Sequence, residues 1–369
     1  MKHYFLGLGA GYSKKERRAI LFSHGKETDL IDLREYIRKE YQAHQVLITK
    51  NGRSAIAAGL KYYFNDSGEV IVNGLTCRAV IQGVKAAGMT PIYADVDKKT
   101  LNFTTESLKK VFTKNTRAII IQNSLGNMAP ICEIEKFAKQ NNLVIMEDLA
   151  HCTGRKYEDG REAGMVGEIT IFTFGKDKTI DTVSGGAVAF RDSVAPLAKI
   201  PKRKPKFSDM LRIRLYPSLG ATCRALSYVK LSGIFMRFLI SVKLIQRSAE
   251  GNVDFKNERL SYFQAKLALE QLKNREKNAK KPLREFYLVN DREKVLDELK
   301  KAGYYFSGFW YEKPVIPERY YKSSNFPEKD CPNAVFISEH IINLPNYYTK
   351  KELEPARKII SKHLLESEK

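Results

Sequence analysis

The sequence predicts an α/β protein with a large domain, built on a mostly parallel β-sheet flanked by helices, and a smaller α+β C-terminal domain. Three observations predict this fold. Short β-branched runs alternate with helical stretches from about residue 46, a basic, proline-containing stretch follows Arg191, and a second regular region starts near residue 254. With 369 residues, 43% of them apolar, the chain is long enough for two domains. We place the domains at 1–195, 196–252 and 253–369, the middle segment being an insertion.

Seven apolar runs are the predicted strands of the large domain: QVLIT, EVIVN, TPIYADVD, RAIIIQNS, LVIMED, EITIFTF and GGAVAF. Helical segments such as GRSAIAAGLKYYF separate them, and nearly continuous apolar runs are typical of strands buried on both faces. Ligands of such sheets bind at the carboxyl ends of the strands. Gly52, Thr76 and Asp148 fall at such ends, so we expect a site there.

The C-terminal region is predicted to begin with one long helix, ERLSYFQAKLALEQLKNREKNAKKPLREFYLV, and to end with the helix TKKELEPARKIISKHLLE. An aromatic loop between them contains Trp310, Tyr311, Tyr320 and Tyr321. These rings could stack on a nucleotide base or pack the small domain. We favour packing.

Several other function classes are disfavoured. The N-terminus shows no signal-peptide pattern, and the five cysteines are an odd count without a CxxC pair, which favours free thiols in a reducing, cytosolic setting. The six histidines form no HxxxH pair, so no metal site is expected. The stretch GLGAGY, with Gly7, Gly9 and Gly11, lacks the GxGxxG spacing and is better interpreted as a flexible loop than as a phosphate-binding loop.

Two polar residues follow apolar strands at positions where they could act together. Asp148 alone could be a helix N-cap, and Lys178 alone could be a solvated charge. A lysine facing a carboxylate across neighbouring strand ends is also what a pyridoxal phosphate (PLP) site requires. The amine bonds the cofactor aldehyde, and the carboxylate keeps the ring nitrogen protonated. NGRSAI would supply backbone N–H groups for the phosphate at a helix start, with Gly52 allowing close approach.

Further segments follow in a characteristic order: NGRSAI, EVIVNGLTC, EDLAHCTG, GMVGEITIFTFGKDKTIDTVSGG, NERLSYFQAKLALEQL and INLPNYYT. This order and spacing resemble those of the DegT/DnrJ/EryC1/StrS family of PLP-dependent sugar aminotransferases, which have fold type I. The resemblance covers about residues 45–192 and 254–365. It implies a fold-type I PLP-transferase.

The resemblance also implies the roles of single residues. The family lysine stands four residues after the last Phe of its FSF motif, which selects Lys178 and leaves Lys176 as a charge near the phosphate or solvent. Asp148 would pair with the pyridinium nitrogen, and His151 would hydrogen-bond the ring hydroxyl. These three would be the catalytic residues.

The phosphate would be held by the backbone amides of Arg53 and Ser54 and by the Thr173 hydroxyl, beside Gly52. Asn257 matches an asparagine that reaches the phosphate of the neighbouring subunit. The resemblance therefore implies a homodimer with a shared active site.

Two residues depart from the family pattern at the cofactor. Cys77 stands where the family has a ring-stacking aromatic, and a thiol covers less of a ring. Arg53 replaces a small residue in the phosphate turn. It could bind the phosphate, reach a substrate diphosphate or simply be solvated.

The insertion is the third departure. Residues 199–247 contain twelve basic residues and one acid, Asp209, and so hold +11 of the chain's net charge of +21. On one helix over 230–247, seven apolar residues share a face opposite four basic ones. The apolar set is Leu231, Ile234, Phe235, Phe238, Leu239, Val242 and Ile245, and the basic set is Lys230, Arg237, Lys243 and Arg247. An anionic membrane surface is favoured equally with packing on the protein's own body or on a dimer partner, and nucleic acid is not expected.

The expected activity is the transfer of an amino group, with L-glutamate as donor by family resemblance, to a nucleotide-activated keto sugar for surface-glycan biosynthesis. The expected location is the cytoplasm or the inner membrane face. Three alternatives stay open: another carbonyl acceptor at the membrane, a non-catalytic membrane-associated scaffold or regulator, and a dehydratase. Family dehydratases typically have histidine in place of the lysine, so Lys178 argues against the last.

Overall fold

The computed structural model describes residues 3–6, 11–64, 67–192, 203–227, 231–245, 252–306 and 309–365. The strands in these ranges are β1 (Tyr4–Phe5), β2 (Gln45–Thr49), β3 (Glu69–Asn73), β4 (Thr76–Cys77), β5 (Thr90–Ala94), β6 (Thr116–Ile121), β7 (Val144–Asp148), β8 (Ile169–Thr173), β9 (Gly186–Phe190), β10 (Arg284–Leu288), β11 (Tyr304–Tyr305), β12 (Val315–Ile316) and β13 (Ile341–Pro345).

The helices are α1 (Lys14–Phe22), α2 (Glu27–Glu40), α3 (Gly52–Tyr63), α4 (Arg78–Ala86), α5 (Thr105–Val111), α6 (Ile131–Gln140), α7 (Phe207–Ser227), α8 (Ser232–Ser241), α9 (Tyr262–Lys273), α10 (Arg275–Asn278), α11 (Arg292–Lys301), α12 (Pro332–His340) and α13 (Lys350–Ser361). Capping boxes fix several helix starts, for example Ser13 with Glu16 and Thr349 with Glu352.

Seven strands form the central sheet in the order β2-β9-β8-β7-β6-β3-β5. Only β9 runs against its neighbours among these strands, pairing antiparallel with β2 and with β8. All seven match the apolar runs identified in the sequence, so the predicted α/β fold is confirmed. The sheet brings the ends of β7 and β8 side by side, because those two strands pair in parallel.

Alternate residues of each strand enter two separate cores. In β6, Ile119 and Ile121 pack under α2, α6 and α9, whereas Ala118 and Ile120 pack under α3 and α4. This is why the strands are apolar at nearly every position. It also places α9 in the core of the large unit, although the predicted boundary at 253 assigned it to the small one.

The predicted long helix of the C-terminal region is wrong in its second half. The helical pattern breaks at Asn274, where the backbone is non-helical, and the segment after the short α10 becomes strand β10. That strand pairs antiparallel with β13, and α11 and α13 pack beside the pair. The N-terminal strand β1 joins this small unit by pairing with β11.

The insertion forms α7 and α8 rather than one helix over 230–247. Helix α8 ends at Ser241, and Lys243 has a positive φ of 56° that turns the chain back. Helix α7 docks on α1 through Arg214, whose guanidinium donates to the carbonyls of Ile20, Leu21 and Ser23 at 2.7–3.1 Å. Such bonds satisfy carbonyl groups that the end of a helix leaves open.

The predicted apolar face of the insertion is divided between protein and solvent. Leu239 and Ile245 pack with Cys223 of α7, whereas Leu231, Ile234, Phe238 and Val242 are exposed. Gly7, Gly9, Lys199, Lys202, Lys230, Arg247 and the boundary at 195/196 lie outside the described residues. In the part of the chain that the structure describes, no helix is long and apolar enough to cross a membrane.

All five cysteines are free thiols, as the odd count favoured. No group of three or more potential metal ligands occurs in the described ranges.

Glu147 organises the loop between β7 and β8. It is fully buried, and its two carboxylate oxygens accept four hydrogen bonds. The donors are the Tyr157 hydroxyl and the backbone amides of Gly164, Val166 and Gly167, at 2.7–2.8 Å. A carboxylate can be buried when its acceptor capacity is satisfied in this way.

We expect Glu147→Gln to lower the free energy of unfolding by about 3 kcal/mol, since one amide oxygen cannot accept from all four donors. Urea unfolding measures the change, and Glu158→Gln on the exposed neighbouring turn is the control, with an expected change within about 0.5 kcal/mol. Equal stability of the two variants would contradict this account of Glu147.

Candidate active site

The carboxyl ends of β7 and β8 open into a cavity of about 1300 Å³. Asp148 is the last residue of β7, Thr173 is the last of β8, and Lys178 follows in the next loop. The start of α3, at Gly52, completes this side of the cavity. The structure therefore brings together the residues that the sequence analysis selected, although their individual roles stay predictions.

Asp148 is a buried carboxylate without a cationic side-chain partner among the described residues. Its Oδ1 accepts one hydrogen bond, from the Ala150 amide at 3.1 Å. Burial raises the pKa of Asp148, and the charge of Lys178 opposes this shift. A buried carboxylate in this state is stabilised by a cationic ligand such as a protonated ring nitrogen.

The hydrogen bonds of His151 fix the protonation state of its imidazole. The Leu125 amide donates to Nδ1 at 3.1 Å, and because an amide can only donate, Nδ1 has no proton. Neutral imidazole therefore has its proton on Nε2. Burial, with a smaller contribution from the charge of Arg284, holds the pKa of His151 well below its usual range, consistent with this neutral form.

The same reasoning extends to Lys178, whose Nζ lies 3.0 Å from Nε2 of His151. If Nε2–H donates, Nζ must accept, and only an uncharged amine has a free lone pair. Burial lowers the pKa of Lys178, which favours the uncharged form. This is the nucleophilic form of a lysine.

The start of α3 has the features of a phosphate cradle. A Cβ on Gly52 would lie 2.2 Å from Oγ1 of Thr173, so only glycine lets the helix start approach this hydroxyl. The Ser54 amide, however, donates to the N-cap side chain of Asn51 at 2.9 Å. The predicted contact of Ser54 with phosphate therefore requires that its amide be shared with this cap.

The two departures from the family pattern both border the cavity. Arg53 is buried, so the solvated alternative is wrong. It donates to Oε1 of Gln82 at 2.8 Å, and burial lowers its pKa. Cys77 is partly exposed, and its Sγ accepts from the Ala79 amide at the start of α4.

Asn257 borders the cavity of its own chain and is exposed. Its backbone and side-chain nitrogens both donate to Oδ1 of Asp254, at 3.0 and 3.4 Å. The Asp254 amide in turn donates to Oγ of Ser54. The segment with Asn257 is thus tied to the cradle of the same chain, and its predicted role toward a neighbouring subunit stays a prediction.

The loop that bears Lys178 is organised around Asp181, which sequence reasoning missed. The buried carboxylate accepts from the Asp177 and Val183 amides and from the Tyr12 hydroxyl, at 2.7–2.9 Å. Gln271 of α9 bonds both backbone groups of Asp181. Asp177 and Val183 both have positive φ, so this turn depends on the carboxylate that bridges its two ends.

Lys176 does not lie in solvent. Its Nζ is 3.7 Å from the centre of the Tyr216 ring on α7, and burial lowers its pKa to about 8. The opposite orientations of the two lysines separate their roles, because only Lys178 reaches His151.

Trp310 is the other residue that sequence reasoning misjudged. It does not merely pack the small unit, because its ring centre lies 4.1 Å from Nζ of Lys178. No local signal distinguished it from the other rings of its loop.

The residues present fit PLP at three points. A buried carboxylate lacks a cation, a lysine amine is held uncharged, and a glycine-opened helix start lies beside a hydroxyl. A metal is not required by this donor set.

Burial raises the pKa of Asp181 to about 7, well above that of an unfolded aspartate. The folded protein therefore holds an extra proton between about pH 4 and pH 7, and we expect the free energy of unfolding to fall as pH rises through this window. Urea unfolding at several pH values should show that Asp181→Asn removes most of this slope. Asp330→Asn, an exposed control, should keep it; an unchanged slope in Asp181→Asn would refute the assignment.

Comparison with known proteins agrees with the geometry. Residues 20–199 match the DegT/DnrJ/EryC1/StrS aminotransferase family. Over 143 residues, the chain is 35% identical to a GDP-perosamine synthase of Escherichia coli O157:H7; this match covers 38% of the chain and 39% of the synthase, well under half of the relative's own length.

Two solved structures share the fold over nearly the whole chain. An aminotransferase from Psychrobacter cryohalolentis superposes with a TM-score of 0.65 at 20% identity, covering 95% of this chain and 96% of that one. An E. coli GDP-4-keto-6-deoxy-D-mannose-3-dehydratase with bound hydrated PLP gives 0.63 at 16% identity, covering 98% and 100%. The protein thus has the fold-type I architecture over nearly its whole length, and over residues 20–199 it is similar to the DegT/DnrJ/EryC1/StrS aminotransferase family.

Proposed function

We propose that the protein is a PLP-dependent aminotransferase that transfers an amino group from L-glutamate to a nucleotide-activated keto sugar. The observation on which this proposal depends is the Lys178–His151 contact of 3.0 Å, with the imidazole tautomer fixed by Leu125 and the buried Asp148 on the same side of the cavity. A scaffold or regulator has no need for an uncharged, half-buried lysine. The match of residues 20–199 to the aminotransferase family adds independent support.

Each residue has a defined task in this proposal. When bound, PLP supplies an electron sink that stabilises negative charge on Cα of the amino donor. Asp148 holds a proton on the ring nitrogen, and Nε2–H of His151 donates to the ring hydroxyl oxygen. Lys178, once released as a free amine, accepts the proton from Cα of the amino donor and gives it to the carbon atom that receives the amino group.

The remaining groups orient the two substrates. The start of α3 and the Thr173 hydroxyl hold the cofactor phosphate, with Arg53 adding positive charge. The cavity volume of about 1300 Å³ exceeds the roughly 300–1,000 Å³ typical of drug-sized ligands and is large enough for a nucleotide sugar. The GDP-perosamine synthase among the relatives supports the same substrate class. Lys178, in the place where dehydratases of the family have histidine, favours transamination.

We expect the purified protein to show the visible absorption band of lysine-bound PLP, and L-glutamate to shift that band toward the pyridoxamine phosphate position. Lys178→Ala should lose the covalent band and lower turnover by on the order of 10²–10⁴-fold or more, because the proton-transfer group is removed. Lys176→Met should keep the band.

Borohydride reduction followed by peptide mass spectrometry identifies the modified lysine. Attachment at Lys178 is expected. Attachment at Lys176 would refute the proposed role of Lys178. No band even with added PLP would refute the proposed chemistry and favour a non-catalytic role.

We further propose that the insertion binds an anionic membrane surface at the cytoplasmic face. Ile234 and Phe238 of α8 are 60% and 57% exposed, and Phe207 at the start of α7 is 77% exposed. The described part of the insertion has eight basic residues and one acid, namely Arg203, Lys204, Lys206, Arg212, Arg214, Arg224, Arg237 and Lys243 against Asp209. Exposed large apolar side chains among cationic ones favour an anionic bilayer as the partner.

In co-sedimentation, we expect the protein to bind vesicles containing phosphatidylglycerol and not pure phosphatidylcholine. Ile234→Ser with Phe238→Ser should weaken binding by on the order of 10-fold or more, since two large side chains no longer insert. Ile31→Ser on α2, which is 49% exposed, is the matched control. Unchanged binding by the double variant, or its conversion from dimer to monomer without an effect on vesicles, would overturn the membrane assignment.

The homodimer with an active site shared through Asn257 is retained as part of the proposal. Its support is the family resemblance around NERLS, and sedimentation velocity tests it.

A further inference from the structure

Trp310 borders the proposed reaction centre although it comes from a distant part of the sequence. It is the sole tryptophan of the chain and only 6% exposed, and it borders the same cavity as Asp148. Its ring covers Nζ of Lys178 at 4.1 Å and meets the His151 ring edge-on at a centroid distance of 4.8 Å. The indole therefore excludes water from the amine that performs the proposed proton transfer.

The indole Nε1–H has no acceptor among the described residues, although the atom is buried. Buried tryptophan N–H groups usually have a hydrogen-bond partner, because an unpaired buried donor costs free energy. Because Trp310 borders the cavity, this orphan donor can be satisfied when a ligand with an acceptor oxygen binds beside the indole.

The position of Trp310 is fixed by two buried residues of the small unit. Asn343 donates through Nδ2 to the Trp310 carbonyl at 2.9 Å, and Arg284 donates through Nε to Oδ1 of Asn343 at 2.6 Å. Arg284 is 2% exposed, and within the described residues its hydrogen bonds go to uncharged acceptors, on Asn343 and Leu6. Its positive charge acts on His151, so it adds a positive potential that favours a negatively charged ligand beside that residue.

We propose that Nε1–H of Trp310 donates a hydrogen bond to a carboxylate oxygen of the amino donor, which makes Trp310 a specificity-determining residue. This inference rests on the proposed function. The carboxylate is bonded directly to Cα, and Lys178 must reach the proton on Cα. The indole ring, whose centre is 4.1 Å from Nζ, therefore lies within reach of that carboxylate.

The first test uses tryptophan emission, which reports only on Trp310 in this chain. We expect succinate, an unreactive dicarboxylate, to change the emission of the protein saturably, and succinamide, its uncharged analogue, to have no effect. The titration is made with the protein as purified and again after removal of PLP. Because it needs no turnover, it decides the carboxylate contact even if the proposed aminotransfer fails. No response to succinate, or equal responses to both compounds, would overturn the inference.

The second test uses Trp310→Phe, which keeps an aromatic ring and removes the N–H. We expect an unchanged visible cofactor band and a half-saturating L-glutamate concentration raised by on the order of 10-fold or more, since a hydrogen bond to a charged group is lost. KM for the sugar acceptor should stay within about twofold. Trp310→His, which restores a ring N–H, should recover part of the loss.

The outcomes separate the two proposals. A raised KM for the sugar with unchanged glutamate affinity would assign Nε1–H to the acceptor and overturn the inference, as would no change in either. Absence of a cofactor band in the native protein would instead contradict the proposed function. If Trp310→Phe does not fold, the emission titration of the native protein still tests whether Trp310 contacts a carboxylate.

Discussion

The reactive state of the site depends on one hydrogen bond, from the Leu125 amide to Nδ1 of His151. A backbone amide cannot accept, so this bond determines which ring nitrogen has the proton and which way the imidazole faces. Nζ of Lys178 then faces the Nε2–H donor of His151 and needs a free lone pair to accept its hydrogen bond. The uncharged lysine is thus a consequence of backbone geometry in the loop after β6 as much as of burial. A left-handed conformation at Leu125, with φ of 56°, is part of that geometry.

Two adjacent acidic residues at the end of β7 have different roles because neighbouring residues of a strand face opposite sides of the sheet. One stabilises the fold and the other borders the cavity. Glu147 and Asp148 point to opposite faces of the sheet. The first has its acceptors satisfied by the Gly164–Gly167 loop and stabilises the fold. The second has one backbone donor and a raised pKa, so its ionised form depends on a bound cation. In isolation, the sequence favoured an N-cap role for Asp148 equally, and Asp148 does cap a short 3-10 helix. Structural and chemical roles are therefore not exclusive.

The sequence predicted the sheet well because each of its strands is buried on both faces, which leaves an unbroken apolar run. The choice of Lys178 over Lys176 came from the resemblance to the family, whose lysine stands four residues after the last Phe of its FSF motif. Prediction from the sequence failed where an element depends on a distant partner. Strand β10 looks like the end of a long helix until it pairs with β13, far along the chain. Helix α8 has an apolar stripe wider than α7 can cover, so half of the stripe packs on Cys223 and half faces solvent. The spacing of apolar residues in the sequence does not show which half packs on the protein and which half faces solvent.

The residues around the amine explain why no single stretch of sequence reveals the whole site. Lys178 lies in a loop held by Asp181, whose partner Tyr12 precedes the first helix of the large unit. Trp310 reaches the amine from the opposite side because Asn343 of β13 holds its carbonyl. Segments from both ends of the chain thus contribute to the surroundings of one amine. Cys77 leaves an aromatic position of the family unfilled, and an aromatic ring approaches instead from the C-terminal part of the chain. The segment with Trp310 packs in the core under α3 and α4, and β12, which follows it, pairs with β4. The ring is therefore held against the large unit at the amine, so the C-terminal part of the chain participates in the chemistry rather than only completing the fold.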